Sequence, residues 1–156
     1  MQHLAGSISR AKPDEDKGLE TVGFPYPKEA HGVFVTAHWF AHSFMFRNSV
    51  LLWITEWGIW PTSENWHLYY KLRQAAGDFR LLQEAPGHLF LEHETEDLAS
   101  FTQTAMLNGW GGYILTQADY VNAFFSHDEY IDFFARFPEN LEEVRKFWAS
   151  RSAKTS

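Results

Sequence analysis

The chain has 156 residues, a formal net charge of −7 at pH 7, and a hydrophobic content of 45%. This length fits one domain that buries about 70% of its unfolded surface, and the apolar content excludes a wholly disordered chain. The excess of acidic residues argues against a nucleic-acid or anionic-membrane partner, which would need clustered Lys and Arg.

The absence of cysteine excludes disulfides, thiol catalysis and cysteine-bound metals, and it agrees with a reducing compartment. The sequence shows neither a signal-peptide pattern nor an apolar run long enough to span a membrane, so we expect a cytoplasmic protein. Residues 1–22 are polar and predict a flexible arm, residues 23–150 predict one domain, and residues 151–156 predict a polar tail.

Residues 32–46 allow two predictions. Their leading Val-Phe-Val-Thr sequence favours a strand that returns as a hairpin, and a helix over residues 37–46 is the alternative. In a helix His38 and His42 lie one turn apart and can share a metal ion, whereas in a strand about 13 Å separates them. The strand prediction therefore implies no bound metal and no cofactor, with His38 and His42 as the alternative ligands.

Residues 50–60 predict a central strand, because nearly all of them are β-branched, leucine or aromatic. Both faces of this strand are apolar, so we expect it to be covered on both sides. Glu56 interrupts one of these faces and is expected to be largely buried and bound to a cation or to backbone amides. The candidate partners are Arg47, Arg73 and Arg80.

The remaining stretches alternate between helices and strands. The predicted elements are a helix after Pro61, a strand at 88–93, a helix from Thr95 to 108–109, a strand at 113–116 and a helix at 139–150. Residues 126–129 predict either a hairpin turn between strands at 120–125 and 130–134 or the capped start of a helix.

These elements predict an α+β fold with an α/β-like βαβ core. We expect a central mixed sheet of about five to six strands that includes parallel pairs. Two to three helices are expected to pack on it, as a single layer on at least one face.

Acidic and imidazole side chains supply the candidate catalytic residues. Glu56 and Glu64 flank a tryptophan-rich turn, and burial beside a tryptophan would raise a carboxyl pKa toward general-acid work. His127 and Asp128 form a compact polar cluster between apolar segments. The simpler interpretation gives all four residues structural roles in pairing, helix capping and turns.

Aromatic residues supply the candidate ligand-binding residues, because exposed tryptophans stack on sugars or anchor protein interfaces. The candidates are Trp57, Trp60 and Trp66. With seven Trp, six Tyr and fourteen Phe, the chain is also expected to expose an aromatic patch and to self-associate.

These observations favour a non-catalytic protein-interaction or self-associating module, with a protein partner or a homodimer. One alternative is a small hydrolase-type enzyme that uses Glu56, Glu64 and a histidine as acid–base groups. Another is a small-ligand or sugar-binding domain with exposed tryptophans. An enzyme predicts that the two carboxylates and the histidine meet in a cleft, whereas an interaction module predicts a flat apolar surface.

Overall fold

A computed structural model describes residues 18–45, 49–56, 66–81, 84, 87–116 and 120–152. Its strands are β1 Glu20–Pro25, β2 Ser49–Glu56, β3 Gly87–Leu91, β4 Gly111–Thr116, β5 Asn122–Phe125 and β6 Tyr130–Ala135. Its helices are α1 Ala30–Met45, α2 Trp66–Ala75, α3 Thr95–Leu107 and α4 Glu142–Ser152, with 3-10 turns at Glu92–Glu94 and Pro138–Leu141.

The six strands form one sheet in the order β1-β6-β5-β4-β2-β3, and every hydrogen-bonded pair is antiparallel. The predicted α+β fold with a sheet of five to six strands is confirmed. The expected parallel pairs of a mixed sheet are wrong for the described strands. Strands β3 and β4, which α3 connects, do run in the same direction, but β2 lies between them and pairs with both.

The four described helices lie on one side of the sheet, which we call the inner face. Tyr69 of α2 packs near His88 of β3, with ring centroids 5.7 Å apart, and Trp148 of α4 stacks on Phe24 of β1 at 4.7 Å. Helices α1 and α3 pack against each other over the centre of the sheet. Burial of these large side chains is the main stabilising contribution to the fold.

The opposite side of the sheet carries no described helix, and we call it the outer face. Leu52 and Ile54 of β2 point inward and are 0% and 1% exposed, whereas the alternate residues Leu51 and Trp53 remain partly exposed. The expectation that both faces of this strand are covered is therefore wrong for the part of the chain that the structure describes.

The strand predicted at residues 32–46 is wrong, because α1 occupies this stretch. Its buried residues recur at helical spacing: Val33, Thr36, Ala37, Phe40, Ala41 and Phe44. The strand preference of the leading Val-Phe-Val-Thr is a local effect of about 1 kcal/mol at most, whereas burying each phenylalanine contributes about 1.5–3 kcal/mol. Core packing therefore decides the conformation.

Other predictions agree with the structure except at their boundaries. Strands β5 and β6 form the predicted hairpin, in which the Ser126 N–H donates to the Tyr130 carbonyl and Glu129 adopts φ 66°. Strand β3 ends two residues before its predicted end, because the Leu91 N–H donates to the Glu94 carboxylate.

Strand β1 starts at Glu20, so three residues that were assigned to the N-terminal arm, 20–22, belong to the sheet. No helix in the described ranges is long and apolar enough to cross a membrane.

Candidate functional site

An aromatic row crosses the outer face. Trp53 of β2 lies opposite Tyr113 of β4, and Tyr113 lies opposite Phe124 of β5, so these rings are direct cross-strand neighbours. The ring centroids are 5.8 Å apart for Trp53 and Tyr113 and 4.7 Å apart for Tyr113 and Phe124. Tyr130 of β6 continues the row 6.0 Å from Phe124 and is 38% exposed. The result is a continuous, partly exposed aromatic surface over four strands.

A bulge in β2 brings Glu56 onto this outer face. By strict alternation Glu56 would share the inner face with Leu52 and Ile54. The register shifts between Ile54 and Glu56, so that Glu56 lies opposite Gly111 of β4. The Glu56 carboxylate fills the space that a Cβ at position 111 would occupy, which explains why this position needs a glycine.

Glu56 contacts His127 in the turn between β5 and β6. The carboxylate oxygen Oε2 lies 2.6 Å from His127 Nδ1, and the Glu56 side chain is 30% exposed. The other ring nitrogen, Nε2, lies 3.4 Å from an Asp128 carboxylate oxygen. The hydrogen bond to Glu56 raises the pKa of His127, and the charge of Asp128 adds a smaller effect in the same direction. This arrangement favours the protonated imidazole.

A second carboxylate, Asp132 of β6, lies within the aromatic surface. It is the cross-strand neighbour of Phe124 on one side and of Gly23 on the other, and a Cβ at position 23 would collide with its oxygen. Within the described ranges the Asp132 carboxylate forms neither a hydrogen bond nor an ion pair, and burial raises its pKa. Both carboxylates of the outer face thus lie over glycines of a neighbouring strand.

Burial also raises the pKa of Tyr113 in the middle of the row, with smaller contributions from Glu56 and Tyr130. The phenol therefore stays neutral and presents a hydrogen-bond donor beside the Glu56 carboxylate. The row thus ends in a polar group made of Glu56, His127 and Asp128.

A cavity of about 540 Å³ opens at the same end of the sheet, on the inner side of His127. Its walls come from the β1–α1 connection, the start of α1, the end of α3 and the β5–β6 turn. The polar or charged residues that line it are Tyr26, Lys28, Ser126, His127 and Glu129. His127 therefore contacts both this cavity and the outer-face carboxylate Glu56.

Of the candidate catalytic residues, the structure brings together Glu56, His127 and Asp128. Glu64, Trp57 and Trp60 lie outside the described residues. Trp66 begins α2 and packs against the core, so it does not belong to the outer face.

Two expectations for Glu56 are wrong. Its side chain is partly exposed rather than largely buried, and its described partner is His127 rather than an arginine. The candidates Arg73 and Arg80 instead bind Asp78, at 2.9 and 3.1 Å, and Arg47 lies outside the described residues.

Sequence reasoning missed the residues that form the surface itself, namely Tyr113, Phe124, Tyr130 and Asp132. The alternation of residues 130–135 was a usable signal, because it places Tyr130, Asp132 and Phe134 on one face.

A separate group lies on the helix layer. His38 and His42 are one turn apart on α1, and Glu96 in the first turn of α3 approaches both of them. One ligand atom from each residue lies within 4.8 Å of the others. The interpretation that the two histidines are too far apart to share an ion is therefore wrong, because it depended on the strand.

The fold and the outer face together define a two-layer α+β domain in which the described helices cover one face of the sheet. The chain matches no family model, no curated protein and no solved structure.

Proposed function

We propose that the protein is a non-catalytic interaction module that binds a basic segment of another protein on the outer face. The observation that carries this proposal is the aromatic row of Trp53, Tyr113, Phe124 and Tyr130, together with the carboxylate of Asp132 inside it, which has no partner among the described residues. A partly exposed aromatic surface of this kind is typical of a protein interface.

The size of the surface suits an extended segment. The four rings belong to four neighbouring strands, and three strand spacings of about 4.8 Å give a length of about 14 Å. A peptide of four to five extended residues, at about 3.3 Å per residue, spans this distance. Aromatic side chains also lose little conformational entropy on binding.

The charge of the surface favours a cationic partner. The six described strands contain no Lys and no Arg, whereas Glu56 and Asp132 present carboxylates on the outer face. Arginine and lysine interact favourably with the faces of aromatic rings, and arginine also forms two-pronged hydrogen bonds with a carboxylate. The net charge of −7 would further steer a basic protein toward this chain.

The same charges argue against a homodimer through this face. A second copy would bring its own carboxylates against Glu56 and Asp132, and like charges at an interface are repulsive. We therefore assign the surface to a different, basic chain, and self-association through it is the outcome that would contradict this assignment.

The experiment uses the full chain and three versions of one extended peptide of about nine residues, rich in Arg, Lys or Glu. Calorimetry and NMR chemical-shift mapping measure affinity and location. We expect the Arg peptide to bind at the outer face and the Glu peptide not to bind. Asp132→Asn should weaken binding about tenfold because it removes a charge-assisted hydrogen bond. Tyr130→Ala should weaken it by a similar factor because it removes a cation–π contact.

The matched control is Phe79→Ala, since Phe79 is 77% exposed but follows α2 and lies outside the outer face. Its affinity should equal that of the wild type. Absence of peptide binding, an equal loss in the control, or a dimer in sedimentation equilibrium that Tyr130→Ala dissociates would contradict the proposal.

The 2.6 Å contact between Glu56 and His127 favours a second candidate, an acid–base enzyme. A carboxylate that orients a histidine is a common device in general acid–base sites, and the neighbouring cavity of about 540 Å³ has room for a small substrate. Hydrolysis of a panel of aryl esters and glycosides tests this candidate. Turnover that Glu56→Gln and His127→Ala both abolish, while Glu129→Gln retains it, would establish the enzyme.

A further inference from the structure

The His38, His42 and Glu96 group on the helix layer presents metal-ligating atoms to one point. A carboxylate oxygen of Glu96 lies 3.3 Å from His42 Nε2, and the other lies 3.8 Å from His38 Nδ1. The three ligand atoms come from two different helices that pack against each other, α1 and α3.

We propose that His38, His42 and Glu96 form a binding site for a divalent first-row transition ion, for which Zn²⁺ is the reference ligand. Two imidazole nitrogens and one carboxylate oxygen are ligands that zinc takes in proteins. Mg²⁺ and Ca²⁺ prefer sites made entirely of oxygen atoms, so a site with two histidines selects against them. Zn²⁺, Ni²⁺ and Cu²⁺ are the ions that this set suits.

The distances are close to those of an occupied site. With zinc bonds of about 2.0–2.1 Å in a tetrahedron, neighbouring ligand atoms lie about 3.3 Å apart. The Glu96 Oε1 to His42 Nε2 distance of 3.3 Å already has this value, and the distance from the other oxygen, Oε2, to His38 Nδ1, 3.8 Å, exceeds it by about 0.5 Å. One ligand atom from each of the three residues lies within 4.8 Å of the other two. The Glu96 side chain is 71% exposed and free to rotate by this amount.

The backbone holds the two histidines in position before any ion binds. Residues four apart on a helix lie on one face, and the two rings are nearly parallel, at an interplanar angle of 20°. Phe34, one turn before His38, packs against the His38 ring with centroids 4.2 Å apart. Three protein ligands leave at least one coordination position for water.

The competing interpretation is that these residues form only ion pairs on the surface. Protonated histidines attract Glu96 without any metal, and exposed ion pairs of this type contribute little to stability. The metal proposal predicts that one metal ion binds to this group in each chain, whereas the ion-pair interpretation predicts none.

Zinc titration of the chelator-treated full chain distinguishes them, measured by calorimetry at pH 7.5, with Co²⁺ absorption as a spectroscopic readout of the ligand geometry. We expect one Zn²⁺ per chain and Co²⁺ bands of a four-coordinate site. His38→Ala, His42→Ala and Glu96→Gln should each weaken Zn²⁺ binding at least about tenfold, because each removes one of three ligands.

The matched control is His31→Ala, because His31 is exposed on the same helix but lies outside the ligand group. This control also measures Zn²⁺ binding to histidines outside the proposed site, since the chain has eight histidines. Its Zn²⁺ affinity should stay within about twofold of the wild type. Hydrogen exchange should show that Zn²⁺ protects the second half of α1 and the first turn of α3, because the ion links the two helices.

Two results would overturn the proposal. In one, the His38→Ala/His42→Ala double variant takes up as much Zn²⁺ as the wild type. In the other, His31→Ala weakens binding as much as the ligand variants do. All four residues are at least partly exposed, so circular dichroism should confirm that every variant remains folded.

Discussion

Replacing Asp132 with Asn should stabilise the protein while it weakens binding to a basic segment. Asp132 lies on the outer face between Phe124 and Gly23, and burial raises its pKa. Among the described residues it has no partner for its charge. The ionised carboxylate therefore destabilises the folded state at neutral pH, whereas Asn has the same shape without the charge.

The magnitude follows from the partial burial of Asp132. Asp132→Asn keeps a polar side chain, so the gain is the extra cost of burying the charge. We take as its scale the cost of an unsatisfied buried polar group in protein mutants, about 1–3 kcal/mol. Asp132 retains part of its exposure, so we take the lower end of this range. Asp132→Asn should raise the free energy of unfolding by about 1 kcal/mol, which for a domain of this size is about 2–4 °C in the melting temperature.

The pH dependence gives the sign of the effect. With its pKa raised by folding, Asp132 binds more protons in the folded state than in the unfolded state. The contribution of Asp132 to the stability of the wild type should therefore fall as the pH rises from about 3.9, the usual pKa of Asp, through the folded-state pKa. The gain from Asp132→Asn should be present at pH 7 and vanish below about pH 4.

Urea titrations of wild type and variant at pH 7 and at pH 3.5 measure this difference, with Glu20→Gln as the control. Glu20 is exposed on the neighbouring strand β1, and its replacement removes the same charge. A loss of 1 kcal/mol or more in Asp132→Asn at pH 7 would refute the reasoning, because it would mean that the charge has a stabilising partner. A stabilised variant that binds less tightly is the pattern of a site that trades stability for function.

Three further changes test the ion pairs and the close approach of strands. Asp78→Asn should reduce the free energy of unfolding by about 3–5 kcal/mol in a urea titration, because it leaves the Arg73 guanidinium, 0% exposed, without its counter-charge. Glu56→Gln should lower the pKa of His127 toward its ordinary value of 6.5, as followed by NMR titration. Gly111→Ala should destabilise the fold by about 1–3 kcal/mol in thermal unfolding, because the new Cβ meets the Glu56 carboxylate.

Each of these changes has a matched control. Glu142→Gln breaks an ion pair with Arg145 that is shorter, at 2.6 Å, but exposed, and should change stability by less than about 1 kcal/mol. Glu129→Gln removes a nearby charge that has no hydrogen bond to His127, and should leave the pKa of His127 unchanged. The strain of Gly111→Ala should be relieved when Glu56 is also replaced by Ala, and additive losses would contradict the proposed contact.

The local sequence was sufficient to predict those helices and hairpins whose start, stop or turn residues lie within a few positions of one another. Helix α3 begins at Thr95, although the threonine before Glu96 and Asp97 predicts an N-cap at this position and the N-cap is Glu94. The helix ends before Gly109, which adopts φ 64°, as the Asn-Gly pair predicts. The β5–β6 hairpin was likewise predictable, because two short β-prone segments flank a four-residue turn. In these cases local preference and tertiary packing favour the same structure.

Packing decided the conformation of α1, and with it the geometry of the candidate metal site. Local preference favoured a strand there, but burial of residues such as Phe40 and Phe44 against α3 and the sheet outweighs it. The change from strand to helix reduces the separation of His38 and His42 from about 13 Å to one helical turn. The error in secondary structure thus removed the distance argument on which the prediction of no bound metal depended.

The sequence by itself determined that the protein is α+β and rich in aromatic residues, and it offered Glu56, Glu64, His127 and Asp128 as candidate acid–base residues. Only the tertiary structure decided which face of the sheet carries the described helices and which polar residues meet on the other face. Glu56 reaches the outer face because a bulge shifts the register of β2, and strict alternation cannot anticipate a bulge. Its contact with His127 joins residues 71 positions apart in the chain, and a contact of that range depends on strand order, which no local pattern encodes.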